Sequence, residues 1–105
     1  MNVTVRYVPF EKNILLSYAN ENSFAVVLYF NQDLSSSKLQ RTRVWTQQLI
    51  DLSLSLDGNY YLPYQTFASK QQFQKAYPNY KKFLSLKKKY DSSNVFQNLW
   101  YLTYF

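Results

Sequence analysis

The first apolar positions of the chain alternate with polar ones, as they do in a β-strand that buries one face. Residues 3–7 (VTVRY) carry this alternation, and Pro9 closes the segment. A second segment, residues 24–30 (FAVVLYF), is apolar throughout, which predicts a central strand covered on both sides. Residues 14–16 (ILL) form either a short strand or a packed loop. The chain is therefore predicted to begin with antiparallel strands.

One long helix is predicted after these strands. Residues 35–37, all serine, can cap its start, and Gly58 can adopt the left-handed conformation just past its end. Between these points apolar residues recur along one stripe: Leu39, Trp45, Leu49, Leu52 and Leu56. The spacing predicts a helix over residues 37–57 that packs through this stripe.

Shorter elements follow. Residues 60–64 (YYLPY) fit a short strand that ends near Pro63. Ser69 and Gln72 have the spacing of a capping box, in which each side chain bonds the backbone N–H of the other residue. They are predicted to open a short helix that Pro78 interrupts.

A lysine-rich helix is predicted to begin at Pro78, because a proline is tolerated in the first helical turn. Its apolar face carries Tyr80, Phe83, Leu84 and Tyr90, and its lysines lie on the other face. Residues 91–94 (DSSN) bond readily to their own backbone and end the helix, so that Val95 and Phe96 are predicted to fold back beneath it. The fold class is α+β: antiparallel strands, one long helix, then a helical C-terminal tail.

The composition excludes several kinds of active site. The chain has no Cys and no His, so it lacks a thiolate nucleophile, the commonest general base and the commonest metal ligands. Its single Gly cannot build a glycine-rich phosphate cradle. We therefore predict no metal site and no self-sufficient hydrolase or metalloenzyme.

The net charge of +6 resides in the second half of the chain. Residues 1–59 hold five cations and five carboxylates, whereas residues 60–105 hold seven lysines against Asp91 alone. Such a basic half solvates a helix face, contacts an acidic partner or attracts phosphate. Because three consecutive helical residues wrap around the axis, at least one of the lysines at 87–89 is expected to face partly inward.

No targeting or membrane-spanning segment is predicted. Residues 1–4 lack the charged start and apolar stretch of a signal peptide. The longest apolar run, residues 24–30, is far shorter than the roughly 20 residues that span a bilayer. These features predict a soluble cytoplasmic protein.

The order of residues 76–100 is specific: Tyr-Pro, an aromatic and lysine-rich helix, Lys-Lys-Tyr-Asp, then Asn-Val-Phe-Gln-Asn. It resembles the C-terminal end of FAD-linked oxidases of the vanillyl-alcohol-oxidase type, such as aldonolactone oxidases, alditol oxidases and decaprenylphosphoryl-ribose oxidases. Ser92 stands where their pattern usually has proline. The resemblance extends through residues 57–64 and, more weakly, through residues 3–9 and 24–32.

The resemblance implies two structural units. Residues 1–59 would finish the antiparallel sheet of a cap (substrate) domain, and residues 60–105 would return to an FAD-binding domain in cis or in trans. Such a chain is the C-terminal part of an FAD-dependent oxidoreductase, in which hydride passes from an alcohol or lactol-like small molecule to the flavin. It would not be catalytic alone, because FAD is held mainly elsewhere.

The resemblance also implies where the site lies. Residues 58–65 are similar to a Gly-x-x-aromatic-x-x-Lys segment beside the flavin ring, which makes Tyr61, Tyr64 and Gln65 the predicted catalytic residues. Tyr61 matches the aromatic or histidine position. Tyr64 replaces the lysine, a departure that argues against sugar-type substrates. A phenol with a pKa of about 10 can bond a substrate hydroxyl, but it acts as a base only after a large downward shift of that pKa.

Two asparagines, Asn94 and Asn98, are the predicted cofactor contacts if the tail packs on an FAD-binding domain. Structural roles compete with all of these assignments. Alternation along a strand would place Tyr60 and Tyr64 on one face as packed aromatics. The competing roles of the two asparagines, which residues of this type adopt more often, are to cap turns or to lie on the surface.

The alternative function is a small basic module that binds single-stranded nucleic acid, through lysines and stacked aromatic rings, or a protein partner. Nucleic acid is disfavoured because the chain has no RNP-like pattern, glycine loop or arginine cluster. If apolar surface is left open, we predict self-association into a homo-oligomer through residues 24–30 or 99–105.

Overall fold

The computed structural model describes residues 1–105 and has the predicted α+β composition. In chain order its elements are β1 (Asn2–Val8), β2 (Ser23–Tyr29), α1 (Ser36–Ser55), α2 (Lys70–Ala76), α3 (Tyr80–Tyr90) and α4 (Leu99–Tyr104). Residues 14–16 lie in a loop, and Leu16 packs against the core. None of the helices is long and apolar enough to cross a membrane.

The sheet consists of two antiparallel strands in the register Val5 opposite Val26. This confirms the antiparallel strands. The prediction that residues 24–30 are covered on both sides is wrong, because Phe24 is 73% exposed and Val26 is 60% exposed. The strand propensity of β2 is local, whereas burial needs further layers on the two faces, and this two-stranded sheet leaves much of its apolar surface in solvent.

The exposed strand leads to a prediction about self-association. Strand β2 contains no charged residue and no proline, so its free edge lacks the features that prevent edge-to-edge pairing. We expect Val26→Lys to weaken self-association by at least about tenfold, because it places a charge on the apolar sheet face. Sedimentation equilibrium of the native protein and of the Val26→Lys variant over a range of concentrations measures the change in association constant.

The control for this prediction is Val44→Lys, which puts the same side chain at an exposed position of α1. It should leave the association constant unchanged. A native chain that stays monomeric at all concentrations, or equal weakening by both substitutions, would contradict pairing through β2.

Helix α1 confirms the predicted long helix, but it is buried through a different face. The buried residues are Thr42, Ile50 and Leu54, whereas Leu49, Leu52 and Leu56 of the predicted stripe are exposed. The neighbouring helix α2 decides this face. The Gln72 side chain donates from Nε2 to the Gln47 carbonyl at 2.9 Å and to Asp51 Oδ1 at 2.7 Å.

The end of α1 differs from the prediction by one residue. Asp57, with φ of 58°, takes the left-handed conformation predicted for Gly58. The Gly58 N–H donates to the Ser53 carbonyl at 2.8 Å, as in a Schellman motif. A Cβ at residue 58 would lie 2.6 Å from Ser53 Oγ. Glycine is therefore favoured here by its close approach to Ser53 rather than by its φ.

The capping box of α2 is confirmed in both directions, since Ser69 Oγ accepts from the Gln72 N–H at 3.1 Å and Gln72 Oε1 accepts from the Ser69 N–H at 2.9 Å. Helix α3 begins at Tyr80 rather than at Pro78, with a turn between the two helices. This turn keeps proline outside the hydrogen-bonded helix.

Residues 60–64 do not form the predicted strand. The Tyr60 carbonyl accepts a hydrogen bond from the Tyr77 hydroxyl, so it is not free for a sheet ladder. Pro63 has no N–H to donate to such a ladder. The segment follows the surface of the helical core instead of pairing with a strand.

The core is aromatic and is built around Phe73, which is completely buried. Its buried members are Ile50, Leu54, Ala68, Phe73, Ala76, Tyr77 and Tyr104. The Tyr104 ring stacks on Phe73 with centroids 4.7 Å apart. The core thus joins α1, α2 and the C-terminal helix α4.

The turn after α3 is held by one carboxylate. Asp91 accepts from the Lys87 ammonium and from the Val95 and Phe96 N–H groups, at 2.8 and 3.0 Å for the latter two. The hydrogen bond from Lys87 lowers the pKa of Asp91. Lys87 is the expected inward-facing lysine. The predicted end of the helix at residues 91–94 is confirmed.

Two predictions about the side chains around this turn are wrong. Val95 and Phe96 are 73% and 78% exposed and do not fold beneath the helix, because the Asp91 carboxylate fixes their backbone in an outward turn. Tyr90, predicted on the apolar face, is also exposed, since it lies at the helix end beyond the packed core.

Candidate functional site

One cleft has a volume of about 870 Å³. It lies between the end of β1 with the loop that follows, the segment before α2, and the start of α4. Its lining includes Glu11, Leu16, Tyr18, Tyr61, Leu62, Tyr64, Gln65, Tyr77, Asn98 and Trp100. The cleft therefore joins parts of the chain that are far apart in sequence.

Four of the five predicted site residues line this cleft: Tyr61, Tyr64, Gln65 and Asn98. Tyr61 and Tyr64 are 47% and 68% exposed, so their side chains are open to solvent rather than locked in the core. Asn94 is not part of the lining. It lies in the turn after α3, where its Oδ1 accepts from the Lys87 ammonium at 3.1 Å.

A row of tyrosines forms one wall of the cleft. The rings of Tyr18 and Tyr61 meet edge to face with centroids 5.0 Å apart, and Tyr61 and Tyr64 repeat the same contact at 5.0 Å. Such edge-to-face pairs are favourable because the positive ring edge meets the negative ring face. The hydroxyls of Tyr61 and Tyr64 make no hydrogen bond within the chain, so both are available to a ligand.

Tyr77 contributes to the cleft from the core side and is almost fully buried. Burial raises the pKa of Tyr77 well above its ordinary value. Its hydroxyl already donates to the Tyr60 carbonyl. Tyr77 is therefore a neutral structural group that supports the tyrosine wall, and it cannot serve as a base near neutral pH.

The cleft holds one charged side chain, Glu11, and no cation. Its Oε1 accepts from the Asn13 N–H at 2.7 Å, and its own N–H donates to the Ala19 carbonyl at 3.3 Å. Sequence analysis missed Glu11 and Tyr18, because the loop that carries them shows no periodic pattern. Only its folding against residues 61–65 brings them to the site.

The Asn98 side chain has a free donor. Its Oδ1 accepts from the Tyr101 N–H at 2.8 Å and caps α4, which leaves the amide N–H groups unused within the chain. Trp100 also lines the cleft, and its indole N–H is buried without an acceptor. Both groups suit a ligand that presents carbonyl oxygens.

The side chains of the cleft fit the isoalloxazine ring of FAD but not its pyrophosphate. A flat, neutral isoalloxazine ring carries carbonyl acceptors and suits an aromatic cleft with amide and indole donors. The pyrophosphate needs cations or clustered backbone N–H groups, and this cleft has one carboxylate and no cation. The residues present can contact the ring of FAD, but they cannot anchor its phosphates.

No group of three or more acidic or sulfur- or imidazole-bearing residues is arranged to hold a metal ion. Comparison with curated proteins and with solved structures found no match. A family model described as D-arabinono-1,4-lactone oxidase matches residues 3–104. The match confirms the resemblance to aldonolactone oxidases and covers nearly the whole chain. The chain therefore belongs to the D-arabinono-1,4-lactone oxidase family.

Proposed function

We propose that the chain forms the substrate-side wall of an FAD-dependent oxidoreductase that oxidises a CH–OH group of an alcohol or lactol-like molecule. In this arrangement residues 1–59 complete a substrate domain, and residues 60–105 pack against an FAD-binding domain supplied in cis or in trans. Family membership supports the reaction class. The observation that carries the assignment is the convergence of Tyr61, Tyr64, Gln65 and Asn98 on one open cleft.

Each lining residue has a distinct role in this proposal. The free hydroxyls of Tyr61 and Tyr64 bond the substrate hydroxyl and fix its orientation. The Gln65 amide adds a donor and an acceptor at the same wall. Glu11, the one carboxylate of the cleft, is the candidate acceptor for the hydroxyl proton. When bound, FAD supplies the hydride acceptor.

Two asparagines are proposed to contact the cofactor, and only one of them lines the cleft. Asn98 lines the cleft and has unused amide N–H groups, which supports a bond to a carbonyl of the flavin ring. Asn94 is tied to Lys87 in the turn after α3, so a contact with the cofactor requires an FAD-binding domain that also covers this turn. Its role stays a prediction.

The experiment combines the chain with the FAD-binding domain of another member of the family. The 105-residue chain alone is expected to be colourless, and co-expression should give a yellow complex. Tyr64→Phe should slow anaerobic flavin reduction by the substrate about 10- to 100-fold, because a buried hydrogen bond to substrate is worth about 1–3 kcal/mol. Tyr61→Phe should act in the same direction.

Tyr90→Phe serves as the control, since Tyr90 is exposed and is not part of the cleft. It should leave the rate of flavin reduction unchanged. A stable complex that stays colourless, or a rate that neither cleft substitution changes, would contradict the proposed site.

A further inference from the structure

Lys87 is the one lysine of residues 60–105 that is not exposed. Its side chain and that of Asp91, its ion-pair partner, are only 13% and 11% exposed. The Lys87 ammonium also donates to Asn94 Oδ1 at 3.1 Å and lies 5.0 Å from the centroid of the Tyr101 ring, a favourable cation–π distance. A single ammonium group therefore joins three segments: the end of α3, the turn that follows it and helix α4.

The turn that Lys87 holds leads directly into α4. Residues 92–99 are all exposed, so the packed core does not fix this connection. Every hydrogen bond made by residues 92–97 involves either Asp91 or Asn94. These are the two residues whose side chains accept hydrogen bonds from the Lys87 ammonium. The hydrogen bonds of the connection thus depend on two residues, and Lys87 holds both.

Helix α4 depends on contacts with other elements because it is short. It has six residues, and a helix of this length is not stable by itself in water. Trp100 packs on the core, with its ring centroid 5.8 Å from that of Phe73. Helix α3 contacts α4 at two points one turn apart, where Phe83 meets Trp100 at 5.6 Å and Lys87 meets Tyr101. The core and α3 together set the position of α4.

Tyr101 connects Lys87 to the cleft. Its N–H donates to Asn98 Oδ1 at 2.8 Å, which is the bond that caps α4 and orients the Asn98 side chain. Asn98 and Trp100 both line the cleft. A displacement of Tyr101 would therefore turn the Asn98 amide and shift the Trp100 indole, which are hydrogen-bond donors of the cleft wall.

We propose that Lys87 is a positioning residue, which holds the start of α4 so that the Asn98 amide and the Trp100 indole N–H stay at the wall of the cleft. Its effect on catalysis rests on the proposed function, in which Asn98 bonds a carbonyl of the flavin ring. Lys87 does not line the cleft, so it acts through Tyr101 and through the turn at residues 91–98.

The first test uses the 105-residue chain alone and follows the Asn98 side-chain amide and the Trp100 indole N–H by nuclear magnetic resonance. Lys87→Met removes the charge but keeps a side chain of similar length. We expect it to shift both resonances. Hydrogen exchange of the Tyr101 amide should become about three- to tenfold faster, as expected for the loss of one hydrogen bond.

Two matched variants show whether the effect belongs to the cation at this position. Lys87→Arg keeps a cation and should retain both native resonances. Lys88→Met removes the same charge from an exposed position of the same helix and should change neither. If Lys87→Met does not fold, Tyr101→Leu removes the cation–π contact, keeps the Lys87–Asp91 pair and should shift the Asn98 amide. Unchanged resonances in Lys87→Met, or equal shifts in Lys88→Met, would overturn the proposal.

The second test uses the complex with an FAD-binding domain. Lys87→Met should slow anaerobic flavin reduction about three- to tenfold and alter the flavin absorption spectrum, because the bond from Asn98 to the ring is weakened. Lys88→Met should alter neither. An active native complex with an equally active and spectrally identical Lys87→Met complex would overturn the positioning role and leave the proposed function intact. A colourless native complex would contradict the proposed function, and the resonances of the isolated chain would still decide the role of Lys87.

Discussion

Replacing Phe73 by alanine is expected to lower the free energy of unfolding by about 3–5 kcal/mol, a large part of the stability of a domain of this size. Phe73 is completely buried, and the rings of five residues lie with centroids 4.7–5.9 Å from its own: Tyr77, Tyr80, Trp100, Tyr104 and Phe105. Removal of the ring leaves a cavity that these large, mutually packed side chains cannot fill. Urea unfolding followed by circular dichroism measures the loss.

Two further variants make this result interpretable. Phe96→Ala removes the same side chain from an exposed position and should change the stability by no more than about 0.5 kcal/mol. Phe73→Leu keeps part of the volume, so it should fold and show a smaller loss if the alanine variant does not fold. Equal losses for Phe73→Ala and Phe96→Ala would show that the aromatic core is not centred on Phe73.

Alkaline pH is expected to unfold the chain through its buried phenols. Burial raises the pKa values of Tyr77 and Tyr104, and of Tyr60, whereas in the unfolded chain each phenol ionises near pH 10. Above pH 10 the unfolded state therefore binds fewer protons than the folded state, so stability falls as pH rises. Tyr77 and Tyr104, both nearly fully buried, should together reduce it by up to about 3 kcal/mol per pH unit.

The alkaline prediction is checked by urea unfolding at a series of pH values from neutral to 11. Tyr77→Phe should lower the stability at neutral pH by about 0.5–1.5 kcal/mol, because its hydrogen bond to the Tyr60 carbonyl is lost. Above pH 10 the free energy of unfolding of Tyr77→Phe should fall less steeply with pH than that of the native chain, by up to about 1.4 kcal/mol per pH unit.

Tyr90→Phe is the matched control for this series, since that phenol is in solvent both before and after unfolding. It should leave the decline unchanged. Ionisation of every tyrosine near pH 10 without loss of the folded circular dichroism signal would show that the phenols are not protected.

The features that could be predicted from the sequence depend on residues close together in the chain. Local patterns correctly predicted the long helix α1, the capping box of Ser69 and Gln72, and the end of α3 at residues 91–94. Each is determined by a backbone group and a side chain a few positions away, so the pattern contains the necessary information.

Only part of the candidate site could be predicted from the sequence, because some of its residues are brought to the cleft by long-range contacts. Family resemblance indicated the segment with Tyr61, Tyr64 and Gln65, and the cleft contains all three. Glu11 and Tyr18 could not be found, because their loop has no pattern of its own. They reach the cleft through contacts with residues more than forty positions away, such as that between Tyr18 and Tyr61.

The amino-acid sequence by itself determined the type and order of the two strands and the helices, but not the irregular path of residues 60–64. It also determined the absence of thiol and imidazole chemistry, the placement of the charge and the family. Tertiary structure decided which faces those elements bury. Hydrogen bonds from the Gln72 amide to α1 hold the helix with Ile50 and Leu54 facing the core. Hydrogen bonds to the Asp91 carboxylate keep the backbone of Val95 and Phe96 in a turn that leaves their side chains exposed. Local propensity acts over a few residues, whereas burial and the cleft depend on contacts between segments that only the folded chain brings together.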